Sequence, residues 1–362
     1  MAVRTRREFL ASASLLLAGA GCLGRGGSSV ETFGAGFVSH DQKLEKRLHL
    51  VAAGNEVPAF AVSEYQGRTG VQVDTESTGS DEALLLRLAA GGYGDFDIIM
   101  VGADSLGYLV QSGQVEPIAR SLVPGLSLLQ PPFDDSPDDG GLRHDVPAWY
   151  ETVGVAAQTD APLAADSWVA FFGLAEQEPG RVVVPDDPNQ VIGATLVSLG
   201  HAWDSDSSGD LDDAGARLQE VFAGLRVLGR RAPSSVAPGH RPLAAIANSQ
   251  DYRVPPGGVR FFLPEEGTAL TVRSYCIPVY APHPVAAHAW LQNWLQPVVE
   301  AGSMSELHVS VPLAQARTLA DPALGANQAI CPPLAALAAS VQPVISADGA
   351  AAREQIWSEL TA

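Results

Sequence analysis

At 362 residues, with 46% hydrophobic and 17% charged side chains, the chain is long enough for about two packed domains and too apolar to be disordered. Its 41 acidic against 22 basic residues give a net charge of -19, a surface that repels phosphate backbones and excludes a nucleic-acid binder. Acidity names no ligand, and the only lysines are Lys43 and Lys46.

The N-terminal stretch RTRREFLASASLLLAGAGC starts with Arg4, Arg6 and Arg7, continues through an apolar run and ends in small residues. That is the plan of a signal peptide, and the run is too short for a membrane span, which needs about 20 apolar residues. The order Thr5, Arg6, Arg7, Glu8, Phe9, Leu10 resembles a twin-arginine export signal. Two cleavage readings stand side by side. Gly19-Ala20-Gly21-Cys22 resembles a lipoprotein box without its usual leucine, which would put a lipid on Cys22. Ala18-Gly19-Ala20 fits an ordinary cleavage site, which would leave Cys22 as a free thiol. Residues 1–22 are thus expected to be a leader and the Gly- and Ser-rich residues 23–47 a flexible tether. Either reading exports the folded part, to the periplasm or to the cell surface.

From Leu48 onward, short apolar runs alternate with helical stretches: LHLVAA, EVPAFAVSEYQGRTG, VQVDT, SDEALLLRLAAG and FDIIMV. Strand-helix alternation with glycine near each helix end predicts βαβ units, hence an α/β fold with a parallel sheet. QPPFDDSPDDGG reads as a surface loop, after which VPAWYETVGVAAQ, RVVVPDDPNQVIGATLVSLG and DDAGARLQEVFAGLRVLG resume the alternation in a second lobe. Leu270 to Ile277 has strand composition, yet it carries the permanent cation Arg273 in its middle. Cys276 and Cys331 are either a disulfide, which export permits, or two buried thiols.

The succession FAVSEYQGRTGVQV, GDFDIIM, GQVEPI, VPAWYETVGV, VPDDPNQVIGATLVSLG, FFLPEEGTAL and CIPVYAP resembles the extracellular substrate-binding proteins of ABC importers, in particular their spermidine/putrescine-binding branch. The likeness runs from about Leu48 to Pro333. It implies a two-lobed periplasmic-binding-protein fold with a ligand cleft between lobes: residues 48–150 plus 271–316 in lobe 1, and 151–270 plus 317–362 in lobe 2. It also implies a monomer that captures a small-molecule solute and delivers it to ABC permease and ATPase subunits, touching the membrane only through a lipid on Cys22.

Carried over position by position, the family's cleft residues are mostly replaced. Its tryptophan and tyrosine before Val57-Pro58 fall on Ala53 and Glu56, and a serine and a tyrosine fall on Gly102 and Asp104. Asp187 keeps an aspartate, while Gln190 replaces a glutamate; Ala247 and Val309 stand where a tryptophan and a tyrosine stood. Thr271 replaces a tryptophan, and Arg273 replaces the aspartate that grips an amine. Two apart on a strand, residues 271 and 273 share a side, the cleft side by that likeness.

Glu56, Asp104, Asp187, Gln190, Thr271 and Arg273 are therefore the candidate ligand-binding residues. In one reading Arg273 takes the anionic group of an anionic or zwitterionic ligand, with any amine on Asp187, Glu56 or Asp104. In the other it pairs internally with Asp187 or another cleft carboxylate. Trp149 either lines the cleft or fills the joint, and joints are expected near Trp149-Tyr150-Glu151 and Gly267.

No cofactor, metal or catalytic residue is expected. DSDSSGDLDDAG, from Asp204, has the spacing of a calcium loop, but Gly215 stands where a bidentate glutamate is needed, and an acidic helix start explains the same residues. GADSLG, with Ser105, is one residue off a hydrolase elbow and keeps an exported hydrolase as the alternative of another class. A tethered sensor or scaffold without transport is the third.

Overall fold

The computed structural model describes residues 31–33, 36–38, 43–54, 56–137, 139–229 and 236–362. The expected leader and Cys22 lie outside the described residues. A two-stranded antiparallel ribbon, β1 (Glu31–Phe33) and β2 (Gly36–Val38), falls in the segment expected to be a tether. That segment also joins the fold earlier than expected. The Glu45 carboxylate receives the N–H groups of Val285 and Ala286, and the Lys46 carbonyl receives the N–H of Gln72.

The first lobe starts with two βαβ units. Strand β3 (Arg47–Ala52) lies between β4 (Gln72–Ser77) and β5 (Ile98–Gly102), parallel to both, with α1 (Ala59–Thr69) and α2 (Asp81–Ala89) as crossovers. Leu48, Leu50, Val51 and Ala52 are fully buried, as both faces of a parallel strand covered by helices should be. The edge strand β4 carries Asp74 and Glu76, charges that deter further pairing. Helix α3 (Ala103–Gln111) follows β5.

One long strand then joins the lobes. β6 (Asp145–Gln158), 14 residues, pairs through its first half with β11 (Leu270–Cys276) and through its second with β9 (Ala244–Asn248) and β10 (Val259–Phe262), all antiparallel. On its far side β11 is antiparallel to β5, while β9 is parallel to β7 (Val182–Pro185) and β7 to β8 (Leu225–Leu228). The order is β4-β3-β5-β11-β6-β9-β7-β8, with β10 beside β6, so a single mixed sheet crosses the boundary.

The cores are separate. One cluster gathers Leu48, Leu50, Trp290 and Trp294, and another gathers Trp168, Phe171, Trp203 and Trp357. The second lobe's helices are α4 (Trp168–Gln177), α5 (Pro188–Ser198) and α6 (Ser208–Val221); α7 (Pro284–Trp294) and α8 (Pro297–Leu307) return to the first. Carboxylates from distant segments cap several helices, which helps assemble each lobe from separate stretches of chain. Glu306 on α8 receives the N–H groups of Ala59 and Phe60 at the start of α1, and Glu266 receives those of Trp168 and Val169 on α4. Where α8 crosses α1, Gly302 leaves room for Phe60: a Cβ there would lie 2.2 Å from the ring.

After α8 the chain divides between the lobes instead of passing directly into the second. α9 (Ala314–Leu319) and the short turns α10 (Pro322–Gly325) and α11 (Leu334–Ala338) lead to α12 (Ala347–Thr361). Ile330, Cys331 and Leu337 pack into the first core, whereas Ala329 and Ala336 join second-lobe side chains around Tyr252 and Phe261. Cys276 and Cys331 are buried free thiols, and Cys331 Sγ lies 3.7 Å from Met304 Sδ.

The expected calcium loop is mostly helix, since α6 begins at Ser208. Its Asp204 and Asp206 receive the N–H groups of Val344 and Ser346, each at 3.0 Å, and so fasten the C-terminal segment to the second lobe.

Candidate functional site

Strand register builds the site. Thr271 is opposite Glu151, and Arg273 is opposite Trp149 on one side and Gly102 on the other. Residues two apart share a face, so Trp149, Glu151, Thr271 and Arg273 line up on one surface where β6 passes between lobes, just before a bulge at Arg273/Ser274. A cavity of about 240 Å³ opens there. Glu56, Trp149, Leu307 and Val309 line it from the first lobe, and Glu151, Gln250 and Arg253 from the second. A larger cavity, about 590 Å³, lies between α6 and α12 in the second lobe. The smaller one is the better candidate, because both lobes, an aromatic ring and perturbed carboxylates converge on it.

Both terminal nitrogens of Arg273 are engaged, while its Nε is buried without an acceptor among the described residues. Its Nη1 donates to Asp81 Oδ2 at 3.0 Å and its Nη2 to Asp81 Oδ1 at 2.9 Å, a bidentate pair, while Nη2 also reaches Glu56 Oε2 at 2.8 Å and the Met100 carbonyl at 3.3 Å. Asp81 Oδ2 also accepts the N–H of Gly102 at 2.9 Å. Arg273 does not line the cavity. Of the two readings left open for Arg273, the internal pairing is the arrangement present here, with Asp81 and Glu56 as the carboxylate partners and not Asp187. The reason is local: β11 turns Arg273 toward the N-terminus of α2, where Asp81 sits in the first turn.

Arg253 stands across the boundary. Its Nη2 donates to Glu151 Oε1 at 2.9 Å. The two guanidinium carbons lie 5.8 Å (Arg253) and 5.9 Å (Arg273) from the centre of the Trp149 ring, within cation–π range. Trp149 therefore does both things left open: it belongs to the first core and it lines the cavity. Burial pushes the Glu56 carboxyl up; Arg273 pulls it down and Asp81 adds repulsion. Glu151 is raised in the same way, by burial first, with Arg253 opposing and Asp251 and Glu56 adding to the rise. Two carboxylates above their usual range on one cavity mark a place that would welcome a cation.

The other expected residues are placed differently. Asp187 is the N-cap of α5, receiving the N–H groups of Asn189 and Gln190 at 3.1 and 3.2 Å and the Gln190 amide at 3.3 Å, so this pair serves its own helix and does not line the cavity. Asp104 is exposed in the first turn of α3, and Ser105 of the near-elbow is buried in that helix. Thr271 is exposed beside Glu151 without lining the cavity, Val309 lines it, and Ala247 is buried in the second lobe.

Sequence reasoning missed Asp81, Glu151, Gln250 and Arg253. Glu151 carries the signal that exposed Arg273, a charge in an apolar strand: it is the one residue of β6 that is half-buried, the others being buried. Asp81 reads as an ordinary helix start, and Gln250 and Arg253 follow β9 in and just after a 3-10 turn (Ser249–Tyr252) too short to show a pattern of its own.

Against known proteins, the family model described as bacterial extracellular solute-binding protein matches residues 61–313. The spermidine/putrescine-binding periplasmic protein of Escherichia coli (strain K12) is 20% identical over 281 residues, covering 76% of this chain and 80% of its own. The spermidine/putrescine substrate-binding protein PotD of Streptococcus pneumoniae superposes with a TM-score of 0.77 at 17% identity, over 88% of this chain and 99% of that one. The TpPotD lipoprotein of Treponema pallidum does so at 0.66 and 18%, over 87% and 99%. These structural likenesses carry the two-lobed fold.

Proposed function

We propose, for a chain that belongs to the family of bacterial extracellular solute-binding proteins, the role of solute-binding component of an ABC importer of the spermidine/putrescine type. It captures a small amine-bearing solute at the lobe boundary and presents it to a membrane permease and its ATPase. The observation that carries this reading is the convergence of Glu56 and Glu151, one from each lobe, on a single cavity walled by Trp149. A buried ammonium needs a paired charge, and an indole face adds a cation–π contribution.

Magnitudes favour closure of two lobes over a single contact. A micromolar solute needs about −8 kcal/mol, and one charged hydrogen bond contributes roughly 1.5 to 3. Several groups from both lobes must therefore act together, and a solute that touches both favours the closed form by its differential affinity. The moving bodies in this reading are built around residues 48–150 with 271–316 and around residues 151–270 with α12, hinged near Trp149-Tyr150-Glu151 and Gly267. Glu56 is kept as a direct contact, Glu151 is added, and Arg273 with Asp81 becomes the support that aims Glu56.

Export of the folded part, with a lipid on Cys22, belongs to the same reading; Cys22→Ala should then move the protein from the membrane fraction to the soluble one. Isothermal titration with putrescine, cadaverine, spermidine and their amino-carboxylate counterparts tests the function itself. Binding to the wild type that drops at least tenfold in Glu56→Gln supports it, and binding indifferent to both Glu56→Gln and Glu151→Gln contradicts it.

A further inference from the structure

Arg253 is out of place in a cavity that receives only amines. A permanent cation on the wall repels an ammonium and would work as a device against a diamine. The two arginines near Trp149 differ in this respect. Arg273 is held by two carboxylates and a carbonyl and stays off the cavity surface, whereas Arg253 lines the cavity and, among the described residues, makes one carboxylate contact, Nη2 to Glu151 Oε1. A guanidinium has five N–H donors in a fixed fork, so Arg253 keeps donors for a planar, two-oxygen acceptor.

The segment that carries Arg253 is fixed in place. The Asn327 amide donates to the carbonyls of Tyr252 and Arg253 at 3.3 and 2.9 Å, and Ser249 Oγ accepts the N–H of Thr152 at 3.0 Å. Tyr252 is buried and stacked on Phe261, with ring centres 5.9 Å apart. A guanidinium on such a support is preorganised, which lowers the cost of ordering it around a ligand. Gln250 beside it offers a donor and an acceptor, and the Trp149 indole N–H is buried without an acceptor among the described residues. At about 240 Å³ the cavity is smaller than the usual range for drug-sized ligands, so the solute is small.

We infer that the solute is a small zwitterion, an amino-carboxylate whose amine is held by Glu56 and Glu151 and whose carboxylate is read by Arg253. This deepens the role proposed above and rests on it.

Matched pairs decide. Putrescine and γ-aminobutyrate, or cadaverine and δ-aminovalerate, differ in one terminus only, and butyrate supplies the anion without the amine. Calorimetry on the purified protein is expected to show the amino-carboxylate binding more tightly than its matched diamine, with butyrate weaker than either. Arg253→Gln should weaken amino-carboxylate binding by roughly 10- to 100-fold and leave the diamine unchanged or improved. Arg253→Lys, which keeps the charge and loses the fork, should fall between. Unchanged melting curves for both variants separate lost recognition from lost folding.

A diamine that binds at least as tightly as its matched amino-carboxylate, with both indifferent to Arg253→Gln, would overturn the inference while leaving the solute-binding role intact. So would a solute without a carboxylate identified by native mass spectrometry of the purified protein. Silence of the whole panel together with no retained solute would count against the solute-binding role itself.

Discussion

Asp81 holds Arg273 through two parallel hydrogen bonds, 2.9 and 3.0 Å long, between residues 192 positions apart in the chain. Through Arg273 it also holds Glu56, whose Oε2 lies 2.8 Å from the same guanidinium nitrogen. A helix start, a strand and a loop are thus fastened into one unit that fixes a cavity carboxylate. Breaking the pair from the aspartate side should therefore affect both stability and binding.

For Asp81→Asn the expected loss is about 2 kcal/mol, below the range for a fully buried pair because both side chains keep some solvent contact. Urea denaturation measures it. Affinity for the solute should fall as well, since Glu56 becomes the sole carboxylate on Arg273. A variant as stable as the wild type would show that the bidentate pair does not matter.

Asp145 gives a prediction in pH. It is fully buried, and burial raises its carboxyl from 3.8 to about 7, with a Ser274 hydrogen bond opposing and neighbouring Asp139 adding to the rise. A raised carboxyl contributes stability below its unfolded value and loses it as pH climbs through the folded one. Asp145→Asn should therefore match the wild type near pH 4 and exceed it near pH 8, by on the order of a few kcal/mol. Urea midpoints across that range check it, and a constant difference between the two proteins would refute the assignment.

Glu56 and Glu151 give a second one. Both carboxyls are raised by burial first, and an incoming ammonium favours their charged form, so binding should release protons. Affinity should then weaken as the medium is acidified through the raised range and level off above it. Calorimetry in two buffers of different ionisation enthalpy measures the released protons; proton uptake would be the wrong sign.

Gly267 sits at a proposed joint with φ of +92°, and a Cβ there would lie 2.1 Å from the Ala339 carbonyl oxygen. Gly267→Ala should cost about 1 to 3 kcal/mol in backbone strain alone, and more from the collision. Thermal melting tests it, and an unchanged midpoint would mean that the contact yields freely.

Much of the fold was legible because its cause is periodic. Apolar runs alternating with helical stretches dictate βαβ units, and Leu48 to Ala52 are buried as that pattern requires. The discontinuous lobe was reached only through the family likeness, because its fastenings, such as Glu45 to Ala286, span 241 residues and leave no local trace. The site was legible in part for the same reason. Arg273 and Glu56 stood out as charges where the pattern or the family called for something else. Asp81 and Arg253 looked like ordinary residues at a helix start and in a loop, and only strand register brings their partners to them. Asp187 misled because an aspartate before proline has a complete local role as a helix cap.

The most direct test of the central claim is a crystal structure of the protein with the solute it retains through purification. Solute density is expected at the lobe boundary, its amine in contact with both Glu56 and Glu151. Density confined to the cavity between α6 and α12, with the boundary cavity empty, would contradict it.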